Sequence, residues 1–129
     1  NRSSVFLDKV MQASQEVRER LIKKLGIEPT QEEMKIHQFA ARYDAPKGTS
    51  FMLEVEQWFE KLLEANKKKN IYKQSALQSI LGHYWYGLAI RSITEKGIWT
   101  VFWKSHLLSC ITNRQKIKFA IKYMLCYVR

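Results

Sequence analysis

The residue types that most often carry catalysis are sparse in this chain. Its 129 residues include three histidines, His37, His83 and His106, and two cysteines, Cys110 and Cys126. No glycine-rich phosphate loop, GxSxG nucleophile motif or HExxH metal motif occurs in the sequence. Catalysis needs titratable groups gathered in one pocket, and no signature joins the ones present here. The sequence therefore predicts a protein that is not an enzyme and that binds no cofactor.

A zinc site is the one metal centre that the sequence brings into consideration. His106 and Cys110 are four residues apart, which places both on one face of a helix. Structural zinc sites usually draw close pairs of ligands from two segments, whereas His83 and Cys126 are isolated in the sequence. Single cysteines are ordinary constituents of a protein core. We therefore predict no metal site.

Positive charge is concentrated in the second half of the chain. Residues 1–64 hold ten Lys and Arg against eleven Asp and Glu, a net charge of −1. Residues 65–129 hold twelve Lys and Arg against one acid, Glu95, a net charge of +11. Ten of the 16 aromatic residues lie in the same half. Clustered cations attract phosphates, so this asymmetry indicates a polyanionic partner.

The densest basic run is Lys67-Lys68-Lys69, with Lys73 shortly after it. We expect this run to lie in the connection that joins the third helix, which ends near Asn66, to the fourth. Lysines in such a connection can contact phosphates. The alternative is that they complement the negative end of the helix dipole before them.

A second basic patch is predicted on the last helix. Arg114, Lys118 and Lys122 are four residues apart and so form one stripe, and no carboxylate accompanies them. Like charges at this spacing repel one another, which favours an anionic partner on the stripe. The other cations of this half that we expect at the same surface are Lys116, Arg91 and Lys104.

Aromatic residues suggest a contact with unpaired bases. The run from His83 to Tyr86 places rings on every side of its helix, so they cannot all face one core. An exposed ring can stack on a base, and Tyr86 is the candidate. The alternative is that Tyr86 covers a neighbouring helix. Trp99, Phe102 and Trp103 are expected in the core.

The elements that position these residues are predicted to be helices. A capping-box spacing at Thr30 and Glu33 predicts one helix start, and Gly26 predicts the end of the helix before it. Hydrophobic periodicity predicts a first helix from Ser3 or Ser4 to Gly26, a second from Thr30 to about Tyr43, and a third over 51–66 after a cap at Thr49 or Ser50. It predicts a fourth helix from Ile71 to a stop at Gly97, a fifth, buried helix over 98–111, and a last helix over 113–129. The last helix is predicted to turn its aliphatic residues inward, namely Ile117, Ala120, Ile121, Met124, Leu125 and Val128.

The predicted fold is all-α, a compact single-domain bundle of five or six helices over residues 1–129. Because the sequence begins with Asn, we expect it to be a domain excised from a longer chain. Two cysteines and no apolar leader favour an intracellular setting, in the cytoplasm or the nucleus.

These patterns favour a helical domain that binds nucleic acid through phosphate contacts, with RNA or single-stranded DNA preferred over duplex and with little sequence specificity. The alternative is a protein-interaction or self-assembly module in which an acidic N-terminal face meets a basic C-terminal face of another copy or of another protein. A membrane surface is an unlikely partner, because the apolar face of the last helix is expected inside the bundle.

Overall fold

Helices carry most of the chain in the computed structural model, which describes residues 15–40, 42 and 45–127. Within these ranges there is no strand, and the predicted all-α bundle is confirmed. The elements are α1 Gln15–Lys24, α2 Gln31–Ala40, α3 Thr49–Lys69, α4 Gln74–Arg91, α5 Ile98–Trp103, a 3₁₀ helix His106–Cys110, and α6 Asn113–Tyr127. The helix starts predicted at Ser3 or Ser4 lie outside the described residues.

Local signals at the first two helix boundaries act as the sequence predicts. Gly26 closes α1 with a φ of 81°, and its N–H donates to the Lys23 carbonyl at 2.8 Å. The Thr30 N–H donates to Glu33 Oε1 at 3.0 Å and the Glu33 N–H donates to Thr30 Oγ1 at 3.1 Å, which is the predicted capping box. Both features depend on residues within one turn, so the sequence determines them without help from the rest of the fold.

The start and the end of α3 both differ from the prediction. Gly48, not Thr49 or Ser50, occupies the N-cap position, and its N–H donates to Ser92 Oγ at 3.1 Å. Helix α3 also continues through Lys69, past the predicted end at Asn66. The long-range bond from Gly48 to Ser92 anchors this start, and a local cap signal cannot reveal it.

Helix α4 passes through Gly82 and Gly87 without a break, and it ends at Arg91 rather than at Gly97. Gly97 has the predicted left-handed conformation, with a φ of 81°, but it precedes α5. The predicted single helix over 98–111 is wrong, because the segment divides into α5 and the 3₁₀ helix. It contains no strand.

The core lies between α3 and α4, which a short connection joins into a helical hairpin. One face of α3 is buried at Met52, Val55, Phe59 and Leu62. Three stacked aromatic rings connect this core to α5 and α6: the ring centroids of Trp85 and Phe102 are 5.5 Å apart, and those of Phe102 and Phe119 are 3.8 Å apart. Phe119 is the fully buried side chain through which α6 packs on the bundle.

The predicted inward face of α6 is wrong. Ile117, Ile121, Met124 and Leu125 are 60%, 52%, 57% and 57% exposed. Phe119 is 0% exposed. It lies on the opposite side of α6, since residues two positions apart on an α-helix point about 200° apart. Helix α6 has apolar residues on both faces. The face that packs on the bundle is the one that carries Phe119, whose ring stacks on Phe102.

The predicted burial of Trp99 is wrong. Trp99, expected in the core, is 40% exposed, whereas Phe102 is buried and Trp103 is half-buried. Ala120 is half-buried, and Val128 lies outside the described residues.

Candidate nucleic-acid interface

The four lysines of the basic run lie around the connection between α3 and α4. Lys67, Lys68 and Lys69 form the last turn of α3, rather than a loop as predicted, and Lys73 immediately precedes α4. All four side chains are exposed. The connection itself is only four residues long, so the four ammonium groups extend from one small region of the surface.

Asn66 gives this connection a fixed shape. Its side chain is 1% exposed; Nδ2 donates to the Tyr72 carbonyl at 2.9 Å and to Gln74 Oε1 at 2.6 Å, and Oδ1 accepts from the Tyr72 N–H at 2.8 Å. The backbone reverses at Asn70, which has a φ of 54° and donates its N–H to the Asn66 carbonyl. A backbone fixed in this way loses little entropy when the lysines it carries bind a ligand.

Helix α1 contributes two more cations to the same region. A Cβ built on Gly26 would lie 2.9 Å from Lys69 Cε, so the Lys69 side chain lies against the C-terminal turn of α1. Lys23 and Lys24, both exposed, occupy that turn. We call these six residues the lysine corner: Lys23, Lys24, Lys67, Lys68, Lys69 and Lys73.

Sequence reasoning missed the α1 part of the lysine corner. Lys23 and Lys24 lie in residues 1–64, where positive and negative charges nearly cancel. The net charge of each half of the chain therefore does not reveal these two lysines. The local signal that could have revealed them is that Lys23 and Lys24, like Lys67, Lys68 and Lys69, lie at the C-terminus of a helix. The contact between Gly26 and Lys69 is what brings the two ends together.

The helix dipoles account for a minor part of the charge in the lysine corner. Each helix C-terminus carries about half a negative charge, so the ends of α1 and α3 together offset about one of six positive charges. Within the described part of the chain, none of the six ammonium groups forms an ion pair, although Glu64 lies one turn before Lys68. The helix dipoles therefore do not neutralise the lysine corner.

The cations of α6 lie on a different helix from those of the lysine corner. Arg114, Lys118 and Lys122 are exposed, as expected, and Lys116 is half-buried. The Phe119 stack joins α6 to the bundle at the level of Trp85, which lies about 16 Å along α4 from its start beside Lys73. We call Arg114, Lys118 and Lys122 the basic row.

The remaining predicted contacts lie elsewhere. Arg91 is half-buried at the far end of α4, and its Nη2 donates to the Arg42 carbonyl at 3.3 Å, which ties this end of α4 to the segment after α2. Lys104 is exposed at the end of α5. Tyr86 is half-buried against the core, and burial raises the pKa of its hydroxyl.

The residues considered for zinc are not gathered into a site in the described structure. There, the group of three acidic, histidine or cysteine side chains with ligand atoms within 4.8 Å of one another is Glu56, Glu60 and His106. His106 Nδ1 is 2.6 Å from Glu60 Oε1, and the His106 N–H donates to Glu56 Oε2 at 3.0 Å. These contacts hold the 3₁₀ helix against α3. Cys110 packs beside Gly82, and burial raises the pKa of its thiol.

None of the described helices is both long enough and apolar enough to cross a membrane.

Comparisons with protein-family models, curated proteins and solved structures find no match to this chain.

Proposed function

We propose that this helical domain binds nucleic acid through the phosphate backbone, with the lysine corner as the main contact and without catalysing a reaction. The observation that carries the proposal is the convergence of six exposed lysines where the C-terminal turn of α1 meets the connection between α3 and α4. Phosphate contacts supply most of the affinity of proteins that bind nucleic acid without sequence preference. An ammonium group recognises a phosphate as a point charge, so little sequence specificity is expected.

The preference for RNA or single-stranded DNA stays a prediction. It relies on ring stacking, and Tyr86 is half-buried rather than fully exposed. The lysine corner supports the phosphate contact itself, which both single strands and duplexes offer. A comparison of the two ligand types is therefore part of the test.

The test is fluorescence anisotropy with labelled single-stranded RNA, single-stranded DNA and duplex DNA at low salt. The variant Lys67→Gln/Lys68→Gln/Lys69→Gln removes three charges from the lysine corner. The control Lys35→Gln/Lys47→Gln/Lys96→Gln removes three charges from other exposed positions and so has the same net charge. We expect the first variant to lose at least about tenfold in affinity and the control to lose less than about threefold. Equal losses in the two variants would show that net charge alone causes the binding, and would contradict the proposal.

Self-assembly through an acidic face has weaker support. Among the acids of α3, Glu56 is buried and Glu60 is bonded to His106. Glu54 and Glu64 are exposed, as are Glu28 and Glu32 before α3. In the described part of the acidic half these four exposed carboxylates are a small counterpart for a basic half of charge +11.

A further inference from the structure

Helix α6 carries an exposed apolar surface that the lysine corner does not explain. Ile117, Ile121, Met124 and Leu125 are each more than half exposed, and they recur at the spacing that aligns side chains along one face. We call these four residues the apolar ridge. It spans about 100° of the helix circumference on the side opposite Phe119, so it points away from the bundle.

Charged and aromatic side chains lie on the two sides of the apolar ridge. The basic row of Arg114, Lys118 and Lys122 follows one side. Tyr127 lies on the other side, about 60° around the helix from Met124. Its ring centroid is 4.4 Å from that of Tyr123, which packs next to Phe119 and is 4.7 Å from the centroid of Trp99. Trp99 is 40% exposed and Tyr127 is 52% exposed. The sequence of α6 contains no carboxylate.

The combination of an apolar ridge with a basic edge restricts what can cover it. Nucleic acid offers phosphates but no aliphatic surface to bury Ile117 or Met124. A second α6 would offer an apolar face but would bring the same cations without a carboxylate to offset them. The occupant must therefore be both apolar and anionic.

We propose that α6 docks on the surface of a lipid bilayer that contains anionic headgroups. The apolar ridge enters the boundary between headgroups and acyl chains, and the basic row pairs with the headgroup charges. Trp and Tyr favour the headgroup level of a bilayer, which suits the exposed rings of Trp99 and Tyr127. Because the apolar ridge faces outward, rather than into the bundle as the sequence predicts, α6 can dock without opening the bundle.

The docking surface is small. From Ile117 to Leu125 the ridge is about 12 Å long, so it provides a reversible contact that needs both the apolar and the ionic part. Neutral lipid, which lacks the ionic part, is therefore expected to bind much more weakly than anionic lipid.

The test is co-sedimentation with vesicles of phosphatidylcholine alone and of phosphatidylcholine with about 30% phosphatidylserine. The variant Ile121→Ser/Met124→Ser removes half of the apolar ridge. The control Leu53→Ser/Ile71→Ser removes two apolar side chains of comparable exposure, 47% and 46%, from α3 and from the α3–α4 connection. We expect the wild type to bind the anionic vesicles, the ridge variant to bind at least about tenfold more weakly, and the control to bind within about twofold of the wild type.

Two further variants separate the contributions to vesicle binding. Lys118→Gln/Lys122→Gln should also weaken binding to anionic vesicles. The lysine-corner variant Lys67→Gln/Lys68→Gln/Lys69→Gln should retain vesicle binding, so this inference and the proposed function can fail independently. Because the ridge side chains are exposed, the melting temperature of the ridge variant should match that of the wild type, which excludes misfolding as the cause of a loss.

Several results would overturn the inference. Equal vesicle binding by the wild type and the ridge variant would show that charge alone is responsible. A dimer in sedimentation velocity that the ridge variant dissociates would assign the ridge to a second copy. Absence of vesicle binding together with binding of an acidic amphipathic peptide would assign it to a partner helix.

Discussion

Gly82 lies so close to the carbonyl group of Cys110 that no side chain fits between them. A Cβ built on Gly82 would be 2.8 Å from the Cys110 carbonyl carbon and 2.9 Å from the Cys110 Cβ, and closer still to the carbonyl oxygen. The 3₁₀ helix therefore rests directly on α4, and α6 begins three residues after Cys110. The position of α6 thus depends on a glycine in the middle of α4.

Gly82→Ala should destabilise the fold by about 1–3 kcal/mol, because the neighbour is backbone and cannot move aside as a flexible side chain can. Gly87→Ala is the matched control within the same helix, since its Cβ would meet only Arg91 Nη1 at 3.5 Å. There the higher helix propensity of Ala should stabilise by up to about 0.5–1 kcal/mol. Urea denaturation measures both, and destabilisation of the same size at the two positions would contradict the close approach.

Asn66→Ala should cost about 1–3 kcal/mol, because the part-buried N–H and C=O of Tyr72 both lose their partner. Asn70→Gly is the control: its φ of 54° suits Gly at least as well as Asn. We also expect Asn66→Ala to weaken nucleic-acid binding at a temperature where the variant is still folded, since the lysine corner loses its fixed backbone. Calorimetry and anisotropy on the same samples measure the two effects. Unchanged melting would show that Asn66 does not hold the connection.

Phe119→Ala and Ile121→Ala compare the two faces of α6. Phe119 is fully buried, so its truncation should cost about 3–5 kcal/mol through lost contacts and the cavity left behind. Ile121 is 52% exposed, and its truncation should change stability by less than about 0.5 kcal/mol. Chemical denaturation of both variants is the measurement. A larger loss for Ile121→Ala would show that the opposite face of α6 is the one that packs.

Glu33 should make stability depend on pH in the acid range. Burial acts to raise the pKa of this carboxyl, but hydrogen bonds from Lys61 and Thr30 and the charge of Lys61 outweigh it, and the pKa lies below its ordinary value. A lowered pKa contributes stability that is present above the unfolded-state value and is lost as the pH falls through the folded-state value.

The variant Glu33→Gln keeps an acceptor for the Thr30 N–H but loses the ion pair with Lys61, whose Nζ is 2.8 Å from Glu33 Oε2. We expect it to be less stable than the wild type by about 0.5 kcal/mol at neutral pH, since Lys61 is half exposed and solvent screens the pair. The difference should shrink as the pH falls below about 4.3, the ordinary glutamate pKa. Thermal melts across the acid range test this expectation, and a difference that is constant with pH would contradict it.

The sequence predicts local features well in this protein. Gly26 and the capping box of Thr30 and Glu33 form their contacts within one turn, so nearby residues determine them. The buried stripe of α3 follows from periodicity because only one face of that helix is strongly apolar.

Features that depend on distant partners could not be predicted in the same way. Both faces of α6 are apolar, and the choice between them depends on the stack of Phe119 on Phe102. The lysine corner joins residues from two helices through the contact of Lys69 with Gly26, which no pattern along the chain encodes. The run Lys67-Lys68-Lys69 stands out in the sequence, whereas Lys23 and Lys24 lie among nearby acids and do not.

If the lysine corner contacts phosphates, its lysines must contribute to the salt dependence of nucleic-acid binding. For a single strand, each phosphate contact contributes about 0.7 to the slope of log affinity against log salt concentration. Replacement of Lys67, Lys68 and Lys69 with Gln should therefore lower the slope by about 2, while the control at Lys35, Lys47 and Lys96 should leave it unchanged. The same slope in the wild type and the lysine-corner variant would show that these lysines do not contact the nucleic acid.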